Sequence, residues 1–99
     1  MDKKTLTANY NAGERDFVGI KLAGEDLSGI DLSGTNLGWA DFTDANLENV
    51  NFSNSVLAGV NFTNADLKGA IFTGANLLHA EVENALNADF TGAINIPKI

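Results

Sequence analysis

The chain has 99 residues, a formal net charge of −7 and no cysteine. Its length allows one domain, the lack of cysteine excludes disulfides and thiolate metal sites, and the negative charge argues against direct binding to nucleic acid or to an anionic membrane. The stretch from Met1 to Asn9 contains no apolar run of signal or membrane-spanning length, so we expect a cytoplasmic protein.

Residues 1–15 are predicted to form a short helix that caps the remainder of the chain. Leu6 and Tyr10 are four residues apart, which places them on one helix face. If that face is turned towards the repeat that follows, the helix covers the unpaired backbone of the first coil. A frayed terminus is the alternative. Residues suited to the helix ends are Thr5 or Thr7 at the N-cap and Gly13 after the C-cap.

Residues 16–92 are organised by a large apolar residue at every fifth position. Period five fits neither a helix nor a flat strand, so the chain must turn once per repeat. Gly, Asn or Asp usually stands two residues after each centre, where a turn needs positive φ, and a small or apolar residue stands two before it. The centre and its second predecessor therefore face inward. The centres are Phe17, Leu22, Leu27, Leu32, Leu37, Phe42, Leu47, Phe52, Leu57, Phe62, Leu67, Phe72, Leu77 and Val82.

The placement of phenylalanine indicates how many repeats close one coil. From Leu37 to Leu77 the centres alternate between Leu and Phe. With four sides per coil, this alternation stacks Phe42 on Phe62 and Phe52 on Phe72, and it fills the interior with uniform columns. The sequence therefore predicts an all-β, four-sided solenoid of about 3.5 to 4 coils.

The repeat also resembles that of the pentapeptide-repeat proteins. The resemblance is carried by Ala40-Asp41-Phe42-Thr43-Asp44 and by Ala65-Asp66-Leu67-Lys68-Gly69, and by the lead-in from Tyr10 to Phe17. It implies a right-handed quadrilateral β-helix with stacked Leu and Phe ladders.

The phase of the repeat breaks at residue 87, which is Asn where an apolar centre is due. We interpret residues 83–87 as an insertion that widens one turn and residues 88–92 as the last side. Residues 93–99 form a tail. Its isoleucines could cap the bottom of the solenoid or pair with a neighbouring molecule; they are Ile94, Ile96 and Ile99.

The sequence offers little for an enzyme. His79 is the one histidine and has no fixed partner for acid, base or metal chemistry. The acidic pairs Glu25/Asp26 and Glu81/Glu83 occupy repeat positions that face solvent. We predict a non-enzymatic structural or protein-interaction module without cofactor or metal, whose protein partner the sequence does not identify.

A candidate acidic surface lies in the middle of the chain, where Lys and Arg are missing from Leu22 to Leu67. Some pentapeptide-repeat proteins bind DNA gyrase as DNA mimics, so the resemblance makes inhibition of gyrase or a topoisomerase the alternative function. A role in solubility is the simpler explanation. The surface comprises Glu25, Asp26, Asp31, Asp41, Asp44, Glu48 and Asp66.

A candidate interaction surface lies on one wall, where stacking by twenty residues places Trp39 in a column with Gly59 and His79. We expect the indole to lie across the neighbouring aliphatic residues and to serve self-association or the docking of another protein, while the other walls are polar. Coverage of Trp39 by the C-terminal tail is the alternative. The surface comprises Val18, Trp39, Val56, Ala58 and Leu78.

Overall fold

The computed structural model describes residues 1–98, and the expectation for Ile99 lies outside them. The described residues hold one helix, α1, at Lys3–Asn11. After it, the chain bends once in every five residues and pairs with itself through isolated parallel β-bridges rather than long strands. No described helix has the length and apolar character needed to cross a membrane.

Helix α1 lies against the solenoid through Leu6 and Tyr10. Leu6 is fully buried in the hydrophobic core, and the Tyr10 hydroxyl donates to the Ser33 carbonyl at 2.8 Å. The predicted N-cap is wrong: Asp2 caps the helix, and its carboxylate accepts from the Thr5 backbone N–H at 2.9 Å. An aspartate at this position also suits the positive end of the helix dipole. Gly13 follows the C-cap with φ of 99°.

Bridged residues are twenty positions apart along most of the chain. The Phe42 N–H donates to the Asn61 carbonyl at 2.8 Å, and the Asp41 N–H donates to the Ile20 carbonyl at 2.9 Å. Each coil is thereby held to the coil before and the coil after it. Among residues 1–98 the bridges form four ladders: ladder 1 joins Asp16, Asn36, Val56, Asn76 and Ile94; ladder 2 Lys21, Asp41, Asn61 and Glu81; ladder 3 Asp26, Asn46, Asp66 and Leu86; ladder 4 Asp31, Asn51 and Ile71.

The core runs along the axis of the solenoid and consists of the repeat centres. All centres from Phe17 to Leu77 are buried, as predicted, and Val82 is half-buried. The predicted phenylalanine stacks are confirmed: Phe42 and Phe62 have ring centroids 5.6 Å apart at 19°, and Phe52 and Phe72 are 5.3 Å apart at 14°. Offset stacks of this kind add to the burial energy of the rings.

The interpretation of the last coil as widened by an insertion is wrong. Leu86 still pairs with Asp66, twenty positions back, so residues 83–86 keep the register. Beyond them the coil is shorter by two residues, because Ile94 pairs with Asn76, eighteen positions back. The shortening brings Phe90 under Phe72, with ring centroids 5.0 Å apart. Ile94, assigned to the tail from the sequence, thus extends ladder 1.

Candidate interaction surface

Each ladder is made of five-residue segments, and a segment comprises a bridged residue and the four residues that follow it. The structure brings the five predicted surface residues together on the segments of ladder 1. Val18, Trp39, Val56 and Leu78 have exposed side chains, and Ala58 is half-exposed. Their positions follow from the five-residue period, since each is one before, one after or two after a buried centre. These outward positions carry polar or small residues in most other repeats.

Trp39 is the most exposed member of this surface, with 70% of its side chain accessible. The alternative that the C-terminal tail covers it is therefore wrong for the described residues. Ile94 instead pairs with Asn76, and both Ile94 and Ile96 are exposed. Ile94 lengthens the apolar strip of ladder 1 towards the C-terminal end.

The indole lies over Gly59 in the next coil. A Cβ added at Gly59 would lie 2.5 Å from Cε3 and 2.6 Å from Cδ2 and Cζ3 of Trp39. Near-equal distances to three adjacent ring atoms mean that the flat face of the ring meets Gly59. Glycine at this position is what leaves room for the indole.

Trp39 holds this position at a cost in backbone conformation. Its φ is 61°, in the left-handed region that bulky residues rarely adopt. Almost every repeat has a residue of positive φ at this point, but Gly, Asn or Asp fills it except at Trp39 and His79. Both exceptions belong to ladder 1 and are exposed, with Gly59 between them. The period of five identifies these two residues as exceptions from the sequence alone, whereas their backbone strain is seen in the structure.

The expectation that the other walls are polar is only partly right. Ile71 on ladder 4 is 49% exposed, and Leu86 on ladder 3 is 55% exposed. Each is a single apolar side chain that replaces the usual Asp or Asn. Ladder 1 differs in carrying several of them along one line.

The seven residues of the candidate acidic surface are not gathered on one side. Glu25, Asp41 and Asp44 belong to the segments of ladder 2. Asp26, Glu48 and Asp66 belong to ladder 3 and Asp31 to ladder 4. All seven are exposed or half-exposed.

Four of these carboxylates also serve the turns of the repeat. Asp41 accepts from the Thr43 backbone N–H at 2.9 Å and from its hydroxyl at 2.6 Å, both at Oδ1. Asn61 accepts from the Thr63 N–H in the same way at 2.9 Å. Asp and Asn can therefore both form this turn through Oδ1, and the turn does not require the negative charge of Asp. The other three carboxylates of this kind are Asp26, Asp31 and Asp66.

These hydrogen bonds favour the ionised form of each aspartate. The hydroxyl and backbone N–H of Thr43 hold the pKa of Asp41 below its ordinary value, and Lys21 adds a smaller electrostatic effect. The backbone N–H of Lys68 lowers the pKa of Asp66. These aspartates therefore stay charged at neutral pH.

The described residues contain no group of three or more His, Cys, Asp or Glu side chains placed to hold a metal ion. His79 is exposed on ladder 1. What the arrangement offers chemically is a strip of apolar contact with one large aromatic ring.

Comparison with known proteins identifies the repeat. The family model of the pentapeptide repeats matches residues 16–49 and 51–92 in eight copies. No curated protein matches the chain.

Solved structures of two cyanobacterial proteins are similar. One is HetL from Nostoc sp. strain PCC 7120, a pentapeptide repeat protein involved in heterocyst differentiation regulation (31% identity, TM-score 0.78). The other is Rfr23 from Cyanothece 51142 (34% identity, TM-score 0.72). The alignments cover 81% and 80% of this chain but only 34% of HetL and 52% of Rfr23. The chain thus spans a third to a half of the length of these proteins, and the likeness implies a right-handed β-helix.

Proposed function

Because the chain belongs to the pentapeptide repeat family, we propose that it is a non-enzymatic protein-interaction module whose contact surface lies along ladder 1. In this proposal the four ladders are the four sides of a rigid β-helix, and α1 caps its first coil. The observation that carries the proposal is Trp39, whose indole is 70% exposed although its backbone adopts an unfavourable positive φ.

Two physical arguments support this surface. A large aromatic ring among exposed aliphatic side chains is the composition found at the centres of protein interfaces. Backbone strain persists only where the surrounding structure enforces it, and it concentrates at functional positions. At Trp39 the backbone N–H is bonded to the Ala58 carbonyl at 2.9 Å, which fixes the strained residue in the ladder.

Photo-crosslinking tests the proposal. We would place a benzophenone side chain at Leu78, on ladder 1, and in a matched variant at Ile71, on ladder 4; the two residues are 42% and 49% exposed. The proposal requires a discrete adduct in extracts of the source organism from position 78 that is absent from position 71 and is lost when Trp39→Asn is added. Equal labelling from both positions, or an adduct indifferent to Trp39, would contradict it.

The alternative of DNA mimicry has less support. Its seven acidic residues are distributed over three ladders, and four of them are explained by the turns. Gyrase as a partner and a cytoplasmic location remain predictions from the sequence.

A further inference from the structure

We propose that the partner of the ladder 1 surface is a basic protein segment that places an arginine or lysine over the free face of the Trp39 indole. This inference rests on the proposed function and adds the chemical class of the partner. It follows from the orientation of the ring and from the charges beside it.

The Trp39 ring has one occupied face and one free face. Gly59 contacts the inner face, and the 70% exposure of the side chain places the outer face in solvent. Among aromatic side chains, tryptophan attracts a cation most strongly when the cation lies over the ring face. An indole held flat and open in this way is already oriented for such a contact.

The charges beside the ring have the sign that a cation needs. The three ladder 1 segments at 36–40, 56–60 and 76–80 contain no Asp, Glu, Lys or Arg. The nearest charges along the chain belong to ladder 2. Asp41 follows Trp39 by two residues and Glu81 follows His79 by two residues, so the Cα atoms of each pair are within about 7 Å of each other. Thr43 bonds only Oδ1 of Asp41, so Oδ2 can accept from an incoming cation. Lys21, the cation of ladder 2, is the bridge partner of Asp41 in the preceding coil and competes with an incoming cation there.

A second copy of the chain fits this surface less well. Two copies would each bring a net charge of −7. One side of the solenoid, about 19 Å high from the first to the last bridged residue of ladder 1 and no wider than the 23 Å cross-section of the molecule, offers less than about 450 Å². A stable interface buries about 800 Å² per partner. A basic segment is instead attracted by the charge and needs only a narrow strip.

The experiment uses the full chain and a defined probe, an eight-residue peptide of alternating arginine and leucine. Trp39 is the only tryptophan in the chain, so its fluorescence reports contact at this site. We expect the peptide to shift the Trp39 emission to shorter wavelength, with an affinity that falls as salt is raised. A peptide of alternating glutamate and leucine should leave the emission unchanged.

Paired variants locate the binding. Asp41→Asn should weaken it about threefold, as for an exposed charge pair, whereas Asp66→Asn on ladder 3 should leave it unchanged. Both substitutions remove one charge and keep the oxygen that the turn uses. Lys21→Gln should tighten binding, and Lys68→Gln on ladder 3 should not.

Each contrary result has a distinct meaning. Equal weakening by the two aspartate variants, or peptide binding without a change in Trp39 emission, would show attraction to the whole acidic molecule and overturn the inference. Absence of peptide binding would also overturn the inference that the partner is basic. In that case a Trp39-dependent crosslinking adduct from position 78 would still support ladder 1 as the contact surface. Adducts between two copies of the chain, strengthened by salt, would assign the surface to self-association instead.

Discussion

The indole of Trp39 lies face-on against Gly59, twenty residues further along the chain. A Cβ at residue 59 would be 2.5 Å from Cε3 of the ring, closer than any stable contact allows. The pair therefore fixes two properties of the surface at once. Residue 59 is restricted to glycine as long as the ring stays in place, and the other face of the ring is directed towards solvent.

Replacing Gly59 by alanine should displace the indole. We expect Gly59→Ala to change the emission maximum and quenching of Trp39, because the added methyl group occupies the position of the ring. Gly34→Ala is the matched control, since Gly34 has the same φ of 69° but nothing within 4 Å of its added Cβ. Both variants should lose about 1 to 2 kcal/mol from the strain of alanine at positive φ. Identical Trp39 spectra in the two variants would mean that the indole is not seated on Gly59.

The phenylalanine stack should dominate the stability of the solenoid. Phe62→Ala removes a fully buried ring that lies between Phe42 and the coil below, so we expect a loss of about 3 to 5 kcal/mol. Asn61→Ala removes a turn hydrogen bond to the Thr63 N–H and should cost about 1 kcal/mol. Urea denaturation followed by circular dichroism measures both. Equal losses would be incompatible with the inward and outward assignment of the two neighbours.

Much of this fold can be predicted because a period of five residues determines which side chains face inward and which face outward. Phe62 and Asn61 are adjacent in sequence, yet the period alone assigns one to the core and one to the surface, and the structure agrees. The same period places Val18, Trp39, Val56 and Leu78 on one line. Tandem repetition makes each local choice confirm the others.

The features that could not be predicted are those that the repeat does not determine. The last coil is shortened after Leu86, and the sequence does not distinguish a deletion there from an insertion before it. The orientation of the Trp39 ring depends on side-chain torsions and on the space above Gly59, which only coordinates reveal. The hydrogen bonds of the Asp41 carboxylate to Thr43 could not be predicted either. An aspartate at this position suits both a turn and a charged surface, so the residue type alone does not distinguish the two roles.

Acid should weaken the solenoid through its turn aspartates. Hydrogen bonds lower the pKa of Asp31 and Asp41 in the folded state below the reference value of 3.8. Their contribution is therefore complete above the unfolded pKa and is lost as the pH falls through the folded pKa. We expect urea midpoints to drop below about pH 4, and the drop to be smaller in the double variant Asp31→Asn, Asp41→Asn. A steeper drop in that variant would contradict the turn role of these carboxylates.

We expect the protein to leave DNA gyrase unaffected, because its acidic residues do not line one side of the rod. A supercoiling assay with micromolar protein at low salt is the sensitive condition, since screening is weakest there. Inhibition that is lost in a variant neutralised at Asp26, Asp31 and Asp66 would revive the mimicry alternative.

We infer that Trp39 serves contact rather than folding, and the stability of the Trp39→Asn variant distinguishes these two roles. An asparagine is already found in this conformation elsewhere in the chain. Asn49, on ladder 3, has a φ of 60° and lies over Gly69 in the next coil, as Trp39 lies over Gly59. The lost burial, at most about 2 kcal/mol, should be offset by about 1 to 2 kcal/mol of relieved strain. Urea denaturation followed by circular dichroism should therefore give a free energy of unfolding within about 1 kcal/mol of the wild type. A loss of more than about 3 kcal/mol would show that the indole is part of the fold and that Trp39 is not primarily a contact residue.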